Sequence, residues 1–69
     1  MDVVERRESL RRLVDANVVE VADRDRLHAV IVQDPVPAKA VLAELDRLRR
    51  NPPSDADAKL MKDIAFWFV

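Results

Sequence analysis

The sequence predicts a small α+β domain spanning residues 1–69, ordered helix, β-hairpin, helix, helix. Three observations lead to it. Apolar residues recur at helical spacing near the start, past the middle and at the end of the chain. Between the first two of these stretches, two β-branched runs flank a short polar connector. Prolines at 35, 37, 52 and 53 punctuate the second half of the chain. The competing arrangement is an all-α four-helix bundle, in which the β-branched stretch is helical instead.

Residues 2–15 read as the first helix. Asp2 suits the N-cap, and Val3, Leu10, Leu13 and Val14 share one side. Asp2–Arg6 and Glu8–Arg12 are i,i+4 pairs with the acid first, the better orientation. Asn17 is expected to take the left-handed position that ends a helix. Residues 18–21, Val-Val-Glu-Val, and 29–32, Ala-Val-Ile-Val, then flank Asp-Arg-Asp-Arg at 23–26. Val and Ile are stiff at χ1, which favours a hairpin over a helix across 24–33 capped by Asp23. An isolated hairpin is marginal in water, so this one must pack on helices or pair with another sheet edge.

Asp34-Pro35-Val36-Pro37 ends the second strand, and Pro37 suits the first turn of a helix running to about Arg50. Ala38, Val41, Leu42, Leu45 and Leu48 form its apolar stripe, and Arg47, Arg49 and Arg50 gather at its negative end. Asn51-Pro52-Pro53 breaks the chain. Ser54-x-x-Asp57 resembles a capping box for a last helix over about 55–68, with Asp55–Lys59 as a well-oriented pair. Leu60, Met61, Ile64 and Phe68 make its apolar face.

Composition excludes much chemistry. The chain has no cysteine, hence no disulfide, and His28 is its one histidine, which leaves no structural zinc set. With no glycine there is no phosphate-cradling loop, dinucleotide fingerprint or nucleophile elbow. His28 lacks an evident nucleophile, because Ser54 serves as a cap and Ser9 is the other serine. Asp23-x-Asp25 and Asp55-x-Asp57 read as a turn and a helix start, without the further ligands of a cation loop. No enzyme activity, cofactor or metal is therefore expected. The amino-terminal residues lack the apolar segment of a signal peptide, and no apolar run approaches the ~20 residues of a membrane span. A cytoplasmic protein with no membrane partner is expected.

Two surfaces are candidates for binding. The stretch Ile64-Ala-Phe-Trp-Phe-Val69 carries all three aromatics of the chain. Successive helical residues are about 100° apart, so Phe66, Trp67 and Phe68 cannot all face one core. Aromatics are enriched at interface hot spots, which marks Leu60, Met61, Ile64, Phe66, Trp67 and Phe68 as a candidate interface. The second candidate is a basic surface of Arg6, Arg7, Arg11, Arg12, Arg24 and Arg26, able to meet phosphates. Seven acids lie within the same residues 1–26, the pattern of a solvated, salt-bridged face.

Residues 8–48, ESLRRLVDANVVEVADRDRLHAVIVQDPVPAKAVLAELDRL, resemble the recognition-helix, wing and dimer-helix half of winged-helix transcriptional repressors. The resemblance implies a recognition helix over Ser9–Ala16, with Asn17 at the position usually held by glycine. It implies wing strands over Val18–Ala22 and Leu27–Gln33, with Arg24 and Arg26 at the wing tip. It implies a dimer helix over Pro37–Arg50, and a nucleic-acid-binding regulator.

The reading of the residues favours a different function. A chain below ~70–80 residues rarely draws more than ~3–5 kcal/mol from its own core, and this one lacks disulfide and zinc staples. Association is the staple left. The expectation is a non-enzymatic protein–protein interaction module, homodimeric or bound to a protein partner. An adaptor, an antitoxin-like partner or a phage-type inhibitor would fit.

Overall fold

The protein is described by a computed structural model covering residues 2–67. Four helices follow one another: α1 (Val3–Asn17), α2 (Val21–Ile31), α3 (Ala38–Leu48) and α4 (Asp55–Trp67). There is no strand among the described residues. The chain is an all-helical small domain, and the expected α+β class with its hairpin is overturned.

The correction falls on α2. Leu27 and Ile31 are buried, at 1% and 0% exposure. Their spacing satisfies both periods, two and 3.6. Ala29, which a strand would bury between them, is exposed. The helical period is therefore the one the packing uses, with Val30 resting against the core beside them. β-Branching lowers helix propensity by only a few tenths of a kcal/mol per residue, little enough for packing against α1 and α3 to override. The helix starts three residues before the 24–33 of the competing reading. Glu20 stands at its N-cap without a side-chain bond, while Asp23 pairs with Arg26 at 3.5 Å. The wing strands Val18–Ala22 and Leu27–Gln33 disappear with the hairpin, and Arg24 and Arg26 lie on a helix rather than at a wing tip.

Other signals act as read, or nearly so. Asp2 caps α1, its Oδ1 accepting from the Glu5 amide at 2.8 Å. Asn17 does not take a left-handed conformation; no described residue has a positive φ. The chain leaves α1 extended through Val18, whose amide bonds the Val14 carbonyl. The Asn17 side-chain amide instead donates to the Leu13 carbonyl (2.9 Å) and to Asp57 Oδ2 (3.3 Å), tying the end of α1 to the start of α4. Pro37 is the N-cap of α3 rather than its first residue. Ser54 Oγ accepts from the Asp57 amide at 3.2 Å, as the capping box requires. Neither Glu8–Arg12 nor Asp55–Lys59 forms an ion pair among the described residues. Helical pairs do form at i,i+3, namely Arg26–Asp23, Arg47–Glu44 and Arg49–Asp46.

α1 and α3 touch each other and both remaining helices, whereas α2 and α4 do not touch. The centre is therefore an α1/α3 pair flanked by α2 and α4. Leu10, Leu13 and Val14 of α1 meet Ala38, Val41 and Leu45 of α3, with Leu27, Ile31, Val18 and Val36 closing the α2 side. α4 adds a single wholly buried side chain, Ile64, with Leu60 and Met61 half-covered against the core.

A polar brace links α2 to α3. Glu44 accepts from Arg47 (2.6 Å) and from Arg26 (3.3 Å). The Arg47 hydrogen bond, against the opposing effect of partial burial and helped by Arg26, holds the Glu44 carboxyl below its ordinary value. A depressed folded-state value means the brace contributes above the unfolded carboxylate range. That contribution is lost as pH falls through the folded value. Glu44→Gln is expected to shrink the fall in urea midpoint between about pH 6 and about pH 3. An unchanged fall would show that the brace contributes nothing.

Candidate functional site

The outer side of α4 is where apolar surface stays uncovered. With about 100° per residue, Phe66 lies about 200° round the helix from Ile64, on the opposite face. Trp67 lies about 60° from Ile64, at the edge of the packed side. Their exposures follow: 75% for Phe66 and 52% for Trp67. The two rings meet edge to face, centroids 6.3 Å apart and planes at 85°, and form one aromatic knob. Ala56, Lys59 and Asp63 continue the same exposed arc toward the start of the helix. Neither Lys59 nor Asp63 has an ion-pair partner among the described residues.

The sequence-predicted interface is thus divided. Ile64 is spent on the chain's own core, Leu60 and Met61 pack against it, and Phe66 and Trp67 are presented outward. Phe68 lies outside the described residues. Exposed valines occur elsewhere, namely Val3 and Val4 early in α1, Val19 and Val21 around the α1–α2 link, and Val32 after α2. Scattered aliphatics of this kind are ordinary surface.

The six arginines do not share a face. Around α1, Arg6, Arg7, Arg11 and Arg12 spread over about 240° of the circumference. Arg24 and Arg26 are about 160° apart around α2. Several are engaged internally. Arg7 donates to the Gln33 carbonyl at 3.0 Å, Arg6 Nε to the Asp2 carbonyl at 3.3 Å, and Arg26 to Glu44. The Nε atoms of Arg7 and Arg24 are buried without a hydrogen-bond partner. Arg11 and Arg12 stay exposed on different sides of α1.

His28 Nε2 lies 2.8 Å from Asp15 Oδ1 and joins α2 to α1. Its ring has an orienting carboxylate but no serine hydroxyl bonded to it. Ser9 is buried, and Ser54 is occupied as a cap. Among the described residues no three metal-ligating side chains come together, and no helix is long and apolar enough to cross a membrane. A half-open cleft of about 240 Å³ lies between the end of α1, the α3–α4 turn and the start of α4. Its polar groups already bond within the chain, Asn17 to Asp57 and Arg50 to Glu20 at 3.2 Å. No nucleophile–base pair lines it.

Sequence reasoning missed Ala56, Lys59 and Asp63 as part of the α4 surface. Alanine and charges on an exposed helix read as a solvated face. The available signal was their succession toward Phe66 in steps of three, four and three residues. Comparison with known proteins finds no match among family models, curated proteins or solved structures.

Proposed function

We propose that this protein is a non-enzymatic interaction module that binds another polypeptide through the outer face of α4, with Phe66 and Trp67 as its anchors. One observation carries the reading: two adjoining aromatic rings stand exposed on a helix whose other side is packed. Large aromatics held on a regular element lose little conformational freedom on binding and release much water. They are the residue types on which binding energy concentrates. The alternatives have less behind them, since among the described residues no base is bonded to a serine hydroxyl and the six candidate arginines do not share a face.

The test compares the purified chain with a Phe66→Ala/Trp67→Ala variant, both used to retain binding polypeptides, copies of itself included. A bound polypeptide should move the emission of Trp67, the one tryptophan, to shorter wavelength. The double variant should lose about 2 kcal/mol or more of binding, roughly thirtyfold. Equal retention by both proteins, or none by either, would overturn the reading.

A further inference from the structure

We infer that the polypeptide bound by α4 is a second copy of this chain, the two α4 helices lying antiparallel across a twofold axis. This rests on the reading of the α4 face as a docking surface and names its occupant. Along the exposed arc of α4, which also holds Asp55 and Lys62, Ala56, Lys59, Asp63 and Phe66 follow at steps of three, four and three residues. Such steps keep the four on one side of the helix, where they can meet their counterparts on a facing helix.

The order of the four side chains decides the partner. Ala56 precedes Lys59 by three residues, and Phe66 follows Asp63 by three. The stripe therefore reads small, positive, negative, large. Turned end for end against itself, it meets large, negative, positive, small. One register satisfies these four positions together: Lys59 faces the partner's Asp63, and Phe66 seats over the partner's Ala56. Twofold symmetry repeats each contact, as an isologous interface requires. A parallel pairing would set lysine against lysine and aspartate against aspartate.

The charges are available for this. Neither Lys59 nor Asp63 forms an ion pair within the described chain, although they lie four residues apart on one helix. Their order, base before acid, is the weaker one for an intrahelical pair. Trp67 sits beside Phe66 at the end of the stripe, extending the apolar contact toward the partner's first α4 turn.

The experiment uses the full 69-residue chain in sedimentation equilibrium over a wide concentration range. The wild type should pass from monomer to dimer mass as concentration rises. Lys59→Asp and Asp63→Lys each replace two attractive contacts per dimer by two repulsive ones. Each should weaken dimerisation by about tenfold or more. The double variant Lys59→Asp/Asp63→Lys should recover to near the wild-type constant. An equimolar mixture of the two single variants should form a one-to-one heterodimer that neither forms with itself. Circular dichroism checks that each stays helical. Ala56→Gln, which keeps the charge pattern, should weaken association by filling the seat of Phe66. A wild type that remains monomeric throughout overturns the inference. So does a dimer indifferent to both charge reversals, or a double variant and mixture that fail to recover. A monomeric wild type that still retains a different polypeptide through Phe66 and Trp67 would leave the broader interaction reading standing.

Discussion

Leu45→Ala is expected to leave most of the protein unfolded at room temperature. Leu45 has no exposed surface, and it sits on α3, which touches all three other helices. Truncating a buried leucine costs about 2–5 kcal/mol, part lost transfer energy and part cavity. In a core walled by single helices, little can move in to fill the space. A chain of this size has about 3–5 kcal/mol in total, so the loss is comparable to the whole stability. Urea titration followed by circular dichroism at 222 nm would show it, as helical signal absent or melting without a baseline. A variant with a cooperative transition at the wild-type midpoint would mean that α3 is not the centre of the core.

The second large effect separates the helix at 21–31 from the hairpin that the sequence suggests. Leu27→Ala should cost about 2–5 kcal/mol, because Leu27 is buried in either arrangement. Ala29→Lys is the discriminating change. On α2 the side chain points to solvent, and the substitution should alter stability by no more than about 0.5 kcal/mol. On a strand, position 29 would share the inward face of Leu27 and Ile31, and a lysine there would be as damaging as the Leu27 truncation. Thermal melts of the two variants decide it. Equal and severe losses in both would contradict the helix.

That stretch also shows where the sequence stops being readable. The caps at Asp2 and Ser54, the stripe of α3 and the Asn51-Pro52-Pro53 break are local features, and each acts within a few residues of itself. The choice at 21–31 is not local. Leu27 and Ile31 fit both periods, and only the position of α1 and α3 beneath them selects one. Asn17 is similar: its side chain finds Asp57, forty residues away, and the left-handed turn it would otherwise make is not used. At the candidate site, the helical angle alone showed that Phe66, Trp67 and Phe68 cannot all face the core, but not which of them turns outward. The spread of the four α1 arginines was legible in the same way, whereas that of Arg24 and Arg26 followed from α2 being a helix and was hidden by the same ambiguity. Lys59 and Asp63 were hidden because a charge on a helix carries no mark of whether its partner is water or another molecule.

Because α4 is anchored by one buried residue while α1 supplies four, α2 two and α3 three, it is the segment whose ordering costs least to undo. With α4 as the proposed binding face, ligation and ordering then form a single coupled equilibrium. Only the fraction of molecules with this last segment seated can bind, and the apparent dissociation constant is the intrinsic one divided by that fraction. Sequence changes on the inward side of the segment, which never meet a ligand, would thereby tune affinity.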